Sequence, residues 1–228
     1  MKVLRKFALI LVTLLFVFSI NSVQSQNKKK MSDLDKKQND VQSLYMSAYE
    51  IIDHYPNVHY TYNYEDGKVT EVKIIGIPDL NEKQKLASYL IELEGLKSDL
   101  VNVQDYDGIY YVTETEPEPK NGYRDLYSEL HSNLEYPETA EEFGVEGTVF
   151  VKFIVESNGE IKHVKATNNI ETTVELAEKE LVEEAKRAVL ATTGQWEPAE
   201  VGNIPVDQWV ILPVQFDLER ARGAMFRF

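Results

Sequence analysis

The sequence contains no cysteine and only four histidines among its 228 residues. The missing cysteines exclude disulfides, thiolate catalysis, cysteine-ligated zinc, iron–sulfur clusters and acylation of an N-terminal cysteine. His54 and His59 lie on either side of Pro56, so they do not share one helix face as paired zinc ligands do. We therefore expect no metal site and no cofactor.

Positive charge is also scarce, because 24 Lys and Arg residues oppose 38 Asp and Glu residues and leave a net charge of −14. Such a chain repels phosphate backbones, so we expect no nucleic-acid partner. The sequence contains neither a Gly-rich phosphate loop nor a Ser-His-Asp pattern. The glutamates of 175–184 fit the solvated face of a helix better than an acid–base pair. Nothing here indicates an enzyme.

The longest apolar run, residues 7–20, is 14 residues long, whereas about 20 residues are needed to span a bilayer. Three basic residues precede the run, and a polar stretch with small side chains follows it. This is the pattern of a secretory signal that is cleaved after Ser25. We therefore predict a signal peptide over 1–25 and a periplasmic or cell-envelope location. If the segment is not cleaved, it is expected to serve as an inner-membrane anchor.

Residues 32–115 are expected to form a small α+β domain. From Val41 to Tyr55, apolar residues recur every three or four positions, which predicts a helix ending before Pro56. The alternation over 58–75, with Asp66-Gly67 at its centre, predicts a β-hairpin. A second helix is expected from Asn81 to a stop at Gly95 or at residues 97–99. A short strand is expected over Ile109–Thr113.

Three tyrosines alternate along the first strand of the predicted hairpin: Tyr60, Tyr62 and Tyr64. We expect them to form the buried face of the hairpin. The alternative is a platform on which a sugar or a peptide stacks.

Residues 116–122, which are rich in proline and charge, predict a linker to a second domain over 123–228. Periodicity then predicts, in order, a helix at Tyr123–Leu134, strands at Thr148–Val155 and Ile161–Ala166, a helix at Thr173–Leu190 and a strand at Val206–Phe216. Asn158-Gly159 marks the hairpin turn between the first two strands. Trp196 is expected to fill the core. The predicted fold class is α+β, with two small domains.

Residues 134–218 resemble the C-terminal domain of TonB. The resemblance rests on motifs that keep their order and spacing: Tyr136-Pro137, Ala140, Gly144, Glu146-Gly147, the alternating strand from Val149 to Val155, Gly159, Trp196-Glu197-Pro198, Gly202, and Pro213 to Phe216. It implies a three-stranded antiparallel sheet packed by helices.

The resemblance implies a binding role in which an envelope protein, such as a TonB-dependent outer-membrane transporter, adds an extended segment to the last strand of the sheet. The implied partner-binding residues are Tyr136, Pro137, Val206, Gln208, Trp209, Val210, Ile211 and Leu212. Trp209 is expected to point away from Val210 and to be exposed. Val210 is expected to supply a backbone donor on the free edge, so replacing it with proline should abolish binding.

Energy transducers of this family carry a histidine in their anchor, which couples to an inner-membrane proton motor, and a long proline-rich tether. The apolar run has no histidine. Pro117 and Pro119 are the only closely spaced prolines in the sequence. Two functions therefore stay open: a transducer that serves a transporter, and a soluble periplasmic interaction module without energy coupling. A motor partner and a homodimer also stay open.

Overall fold

The computed structural model describes residues 32–219, apart from residues 56 and 106. The predicted signal segment over 1–25 lies outside the described residues. In the described part, no helix is long and apolar enough to cross a membrane.

The first half of the described chain holds two helices and a hairpin. Helix α1 covers 32–53, strands β1 and β2 cover His59–Glu65 and Lys68–Ile75, and helix α2 covers Leu80–Leu100. Asp66 and Gly67 adopt positive φ angles of 50° and 74°, which matches a tight hairpin turn with right-handed strand twist. The predicted hairpin is thus confirmed.

Helix α2 begins where Asp79 caps it, since the carboxylate of Asp79 accepts a hydrogen bond of 2.8 Å from the backbone N–H of Glu82. The helix runs through Gly95 to Leu100, so the predicted stop at Gly95 is wrong, whereas the alternative stop at 97–99 falls one residue short of the helix end. Leu93 and Leu100, two turns apart, are both buried, and this burial outweighs the cost of a glycine inside the helix.

The predicted strand over Ile109–Thr113 is also wrong. The described residues of 101–112 form an irregular segment with isolated bridges, in which Val112 pairs with Val101 and Tyr110 pairs with Gln104. Leu100, Tyr111 and Val112 are buried together in a small core of their own. The segment is therefore fixed by side-chain packing rather than by a strand ladder.

The second half of the chain follows the predicted order, with additional short elements. Its elements are β3 (Glu118–Pro119), α3 (Gly122–Asn133), α4 (Glu138–Phe143), β4 (Gly147–Val155), β5 (Ile161–Asn168), α5 (Glu175–Leu190), β6 (Trp196–Glu197), β7 (Ala199–Val201), β8 (Ile204–Val206) and β9 (Gln208–Phe216). The predicted last strand, Val206–Phe216, is divided at Asp207. Helix α4 was not predicted, although Gly144, at φ 66°, ends it in the left-handed conformation typical of a helix C-terminus.

A three-stranded antiparallel sheet in the order β5-β4-β9 forms the centre of this half. One face carries the alternating residues of β4 from Val149 to Val155 and packs against α3 and α5. Trp196 is fully buried in this core, as predicted, and its indole N–H donates to the hydroxyl of Thr192 at 3.1 Å. The predicted α+β class with a three-stranded antiparallel sheet is confirmed.

The opposite face of the sheet is also buried, because helix α1 packs on it. Phe150 is fully buried between the rings of Tyr45 and Tyr49, whose centroids lie 6.4 and 5.6 Å from its own. Gln42 of α1 donates to the hydroxyl of Thr167 on β5 at 2.9 Å. The sheet therefore forms the middle layer between α1 and the helices of the second half.

Residues 116–122, the predicted linker, lie against the second half. Strand β3 pairs with β6, and the N–H of Lys120 donates to the carbonyl of Gln195 at 2.8 Å. Pro117 and Pro119 are buried. Proline is tolerated here because the two-residue pairing of β3 with β6 needs few backbone N–H donors.

Candidate functional site

Strand β9 is one edge of the central sheet, and its register determines which backbone groups face outwards. The N–H of Trp209 donates to the carbonyl of Tyr110 on the outer side, at 3.1 Å. Because outward and inward groups alternate along a strand, Ile211 and Pro213 also turn their backbone groups away from β4. In the part of the chain that the structure describes, no strand pairs with β9 on this side beyond Trp209. Ile211 is thus the first open position of the edge.

Val210 follows Trp209, whose N–H faces outwards, so alternation turns the N–H of Val210 inwards to β4, where Val210 lies opposite Phe153. Val210 therefore does not supply the edge donor that the sequence suggested. Replacing Val210 with proline would disrupt the sheet itself, and Ile211 is the position that tests the edge. Leu212 pairs with Val151 in the same way, and its buried side chain belongs to the core.

The start of the β9 edge is occupied by the irregular segment 101–112. Tyr110 makes two backbone hydrogen bonds with this edge. Its N–H donates to the carbonyl of Asp207 at 2.9 Å, and its carbonyl accepts the hydrogen bond from Trp209 described above. The indole N–H of Trp209 donates to a carboxylate oxygen of Asp105 at 3.1 Å. This contact was not predicted, since a single parallel bridge leaves no periodic signal in the sequence.

Trp209 does point away from Val210, but it is partly buried rather than exposed. The ammonium of Lys152 lies 4.8 Å from its ring centroid, close enough for a cation–π contact. Gln208 is buried, and its side-chain carbonyl accepts a hydrogen bond of 2.6 Å from the hydroxyl of Thr113. Both side chains hold the 101–116 region against the sheet.

The remaining predicted residues lie apart from Ile211. Tyr136 packs edge-on against Phe216 at the far end of β9, with centroids 5.7 Å apart, and its hydroxyl donates to the carbonyl of Val145 at 2.5 Å. Pro137 precedes α4, and Val206 ends β8 before β9 begins. A nine-residue strand is roughly 30 Å long, so the structure does not bring these residues into one site.

The other edge of the sheet, strand β5, is protected against pairing. His163 has a positive φ of 53°, and the register of β5 shifts opposite Lys152 to Ile154. Lys162 and Lys165 project exposed side chains from the same strand. Bulges and lysines are the usual means by which proteins discourage added strands. The open edge is therefore β9.

A cavity of about 370 Å³ lies beside this edge, on the face of the sheet that α1 covers. Trp209 and Ile211 line one side, and residues of α1, β1 and α2 line the others. Among the described residues, six tyrosines contribute to its walls: Tyr45, Tyr49, Tyr60, Tyr62, Tyr111 and Tyr123. The expectation that the tyrosines of β1 are buried is wrong for two of them, since Tyr60 is 42% and Tyr64 57% exposed.

Lys152 and Tyr45, which line the cavity, are poorly hydrated, and this shifts their pKa values. Burial, together with the nearby charge of Lys165, lowers the pKa of the Lys152 ammonium to about 8. Burial, with a smaller effect from neighbouring tyrosines, raises the pKa of Tyr45 above its ordinary value. Among the described residues, no group of three or more His, Asp or Glu side chains is placed to hold a metal ion. The site therefore suits binding through apolar and backbone groups.

The shifted pKa of Lys152 predicts a rise in stability with pH. The folded protein loses this proton near pH 8, whereas the unfolded chain keeps it to its ordinary pKa of 10.5. Between these values the unfolded state holds more protons on Lys152, so the free energy of unfolding should increase from about pH 8 to 9. Closer to pH 10 the buried tyrosines with raised pKa values, such as Tyr45, oppose this rise, because the folded state then keeps their protons and the unfolded state loses them. Lys152→Met should flatten this rise in urea titrations. Lys186→Met, on the exposed face of α5, should leave it unchanged, and an equal rise in Lys152→Met would contradict the assignment.

Three comparisons with known proteins bear on this chain. The family model described as Gram-negative bacterial TonB protein C-terminal matches residues 132–218, which confirms the resemblance inferred for 134–218. No curated protein sequence matches the chain. Two NMR solution structures of the Helicobacter pylori TonB C-terminal domain are similar to it. The first is 20% identical, covering 42% of this chain and 92% of that one with a TM-score of 0.32; the second is 18% identical, covering 41% and 78% with a TM-score of 0.31.

Proposed function

Since residues 132–218 match the family model of the TonB C-terminal domain, we propose that the protein is a TonB-like component of the cell envelope. It binds an extended segment of an outer-membrane transporter, or of another envelope protein, and thereby supports energy-dependent transport. Its role is binding rather than catalysis. The observation that carries the proposal is the edge of β9 at Ile211, which faces away from β4 next to the bridge made by Tyr110.

The edge offers a partner strand both donors and acceptors. Ile211 presents an N–H and a carbonyl, whereas Pro213 is buried and has no N–H. An added strand satisfies these groups with its own backbone, so the affinity depends little on its sequence and side chains set the register. Tyr110 limits the partner on one side, because it already uses the edge at Asp207 and Trp209. The partner therefore begins at Ile211 unless it displaces Tyr110.

A second candidate is a soluble interaction module that uses the same edge without energy coupling. The observation that favours it is the folded unit of α1, β1, β2 and α2, whose helix α1 packs on the sheet. Transducers of the family have a long tether in place of such a unit. The N-terminus of the protein recovered from cells separates the two candidates. A start at Gln26 in the soluble fraction supports the module, and a retained Met1 in the inner-membrane fraction supports the transducer.

Photo-crosslinking in cells tests the partner and the edge together. An amino acid with an aliphatic diazirine at position 211 should crosslink to the extended segment of an outer-membrane transporter, identified by mass spectrometry. The same amino acid at position 162, on the protected β5 edge, is the matched control and should give no such product. A soluble envelope protein at position 211 would favour the second candidate. Equal products from both positions, or none from 211, would refute strand addition at β9.

A further inference from the structure

The tyrosine-lined cavity beside Ile211 is not explained by the family match. Its walls come mainly from α1, β1 and α2, all of which precede residue 132, where the match begins. Only the wall contributed by β9 and its neighbour Lys152 belongs to the matched region. The cavity is thus a property of this chain rather than of the matched domain alone.

The direction of the Ile211 side chain connects the cavity to the open edge. Val210 packs in the core on the α5 side of the sheet, so Trp209 and Ile211 point to the opposite face, where the cavity lies. Residues that pair across neighbouring strands place their side chains on the same face of a sheet. A partner residue that pairs with Ile211 would therefore direct its side chain towards the cavity.

The lining of the cavity determines which side chain it suits. The rings of Tyr60 and Tyr62 lie 5.6 Å apart at an interplanar angle of 75°, the edge-to-face geometry that aromatic groups favour. Tyr60 is still 42% exposed, so it keeps a ring face that a ligand can cover. The volume of about 370 Å³ falls in the usual range of ligand pockets. The lining also holds charged groups, namely Glu94 and the ion pair of Lys97 with Glu116 at 2.6 Å. An aromatic or large aliphatic side chain fits against the tyrosine rings, whereas a charged side chain would lose its hydration there.

We propose that this cavity receives an aromatic or large aliphatic side chain of an extended peptide whose backbone pairs with β9 at Ile211. The inference rests on the proposed function and adds a side-chain preference to it. Backbone pairing with β9 positions the peptide, and the cavity determines which side chain is preferred at the residue that pairs with Ile211. Because strand side chains alternate, the preference applies to one residue of the peptide and not to its immediate neighbours.

Two capped peptides, acetyl-Thr-Val-Phe-Val-Thr-amide and the same peptide with Ala in place of Phe, test the preference on the full chain. The phenylalanine peptide should bind about 10-fold more tightly, since burying the ring gains apolar contact. Its titration should shift the NMR signal of the Ile211 amide. Tyr60→Ala should remove most of the 10-fold preference. Tyr64→Ala, which removes a more exposed ring from the same strand but outside the cavity, should keep it.

The possible outcomes distinguish a side-chain preference of the cavity from strand addition at the β9 edge. If both peptides shift the Ile211 amide with equal affinity, strand addition stands and the cavity preference is refuted. If Tyr64→Ala weakens the preference as much as Tyr60→Ala, the cavity is also refuted as its source. A dimer that Tyr60→Ala dissociates and that the phenylalanine peptide does not would overturn the inference, since a second copy would then fill the cavity. If neither peptide binds, the preference fails even where crosslinking at position 211 succeeds.

Discussion

Replacing Gly159 with alanine should lower the free energy of unfolding by roughly 3 kcal/mol or more. Gly159 has a φ of +82°, which is unfavourable for any residue with a Cβ atom. A Cβ atom there would lie only 2.4 Å from the backbone carbonyl oxygen of Trp196. The backbone around Trp196 must move to relieve this contact, and Trp196 fills the centre of the core. Urea denaturation of the full chain measures the loss.

Gly202→Ala is the matched control for this substitution. Gly202 also has a positive φ, of +56°, but no atom lies within 4 Å of a Cβ built there. Its replacement should cost only the conformational strain, about 1–2 kcal/mol. Both substitutions reduce the entropy of the unfolded chain similarly, so the difference reports the contact with Trp196. Equal losses for the two variants would show that this contact does not determine the cost.

The turns could be predicted from the sequence because their causes are local. Asp66, Gly67 and Gly159 supply the positive φ angles that these tight turns need, whatever surrounds them. The contact that makes Gly159 sensitive comes from Trp196, far along the chain. The sequence therefore predicts the turn at Gly159, and only the structure predicts the size of the effect.

The sequence pattern predicts which side chains of β9 face the core, because alternation is also a local property. It does not predict which backbone groups of β9 face β4. Alternation correctly placed Val210 in the core and Trp209 on the opposite face. Whether an N–H faces β4 or the open edge depends on how β9 is aligned with its neighbour, and side-chain pattern alone does not give that alignment. The donor was therefore assigned to Val210 instead of Ile211.

The burial of both sheet faces has a signal in the sequence of β4. Strand β4 is apolar at Phe150 and Ile154 as well as at the alternating valines, and a run that is apolar on both faces indicates two-sided burial. The pattern of β4 does not predict which helix covers the second face, since any amphipathic helix could pack on it. The cavity depends on that same placement of α1, and so it could not be foreseen from the tyrosines alone.

Phe150→Ala should lower the free energy of unfolding by about 3–5 kcal/mol and should loosen α1 selectively. Phe150 is fully buried, and the rings of Tyr45 and Tyr49 meet it edge-on. The variant removes the main apolar contact of α1 with the sheet and leaves the polar contact of Gln42 with Thr167. Amide hydrogen exchange under native conditions should therefore increase most in residues 32–53.

Phe153→Ala is the control, because Phe153 is equally buried on the opposite face of the same strand, with its ring centroid 5.4 Å from that of Trp196. It should cost a similar free energy without a selective increase of exchange in α1. If both variants increase exchange in α1 equally, the helix is not held by Phe150. If only Phe150→Ala does so, α1 and the sheet act as one layered unit. The phenylalanine peptide should then lose its advantage in Phe150→Ala, because α1 forms one wall of the cavity that selects it.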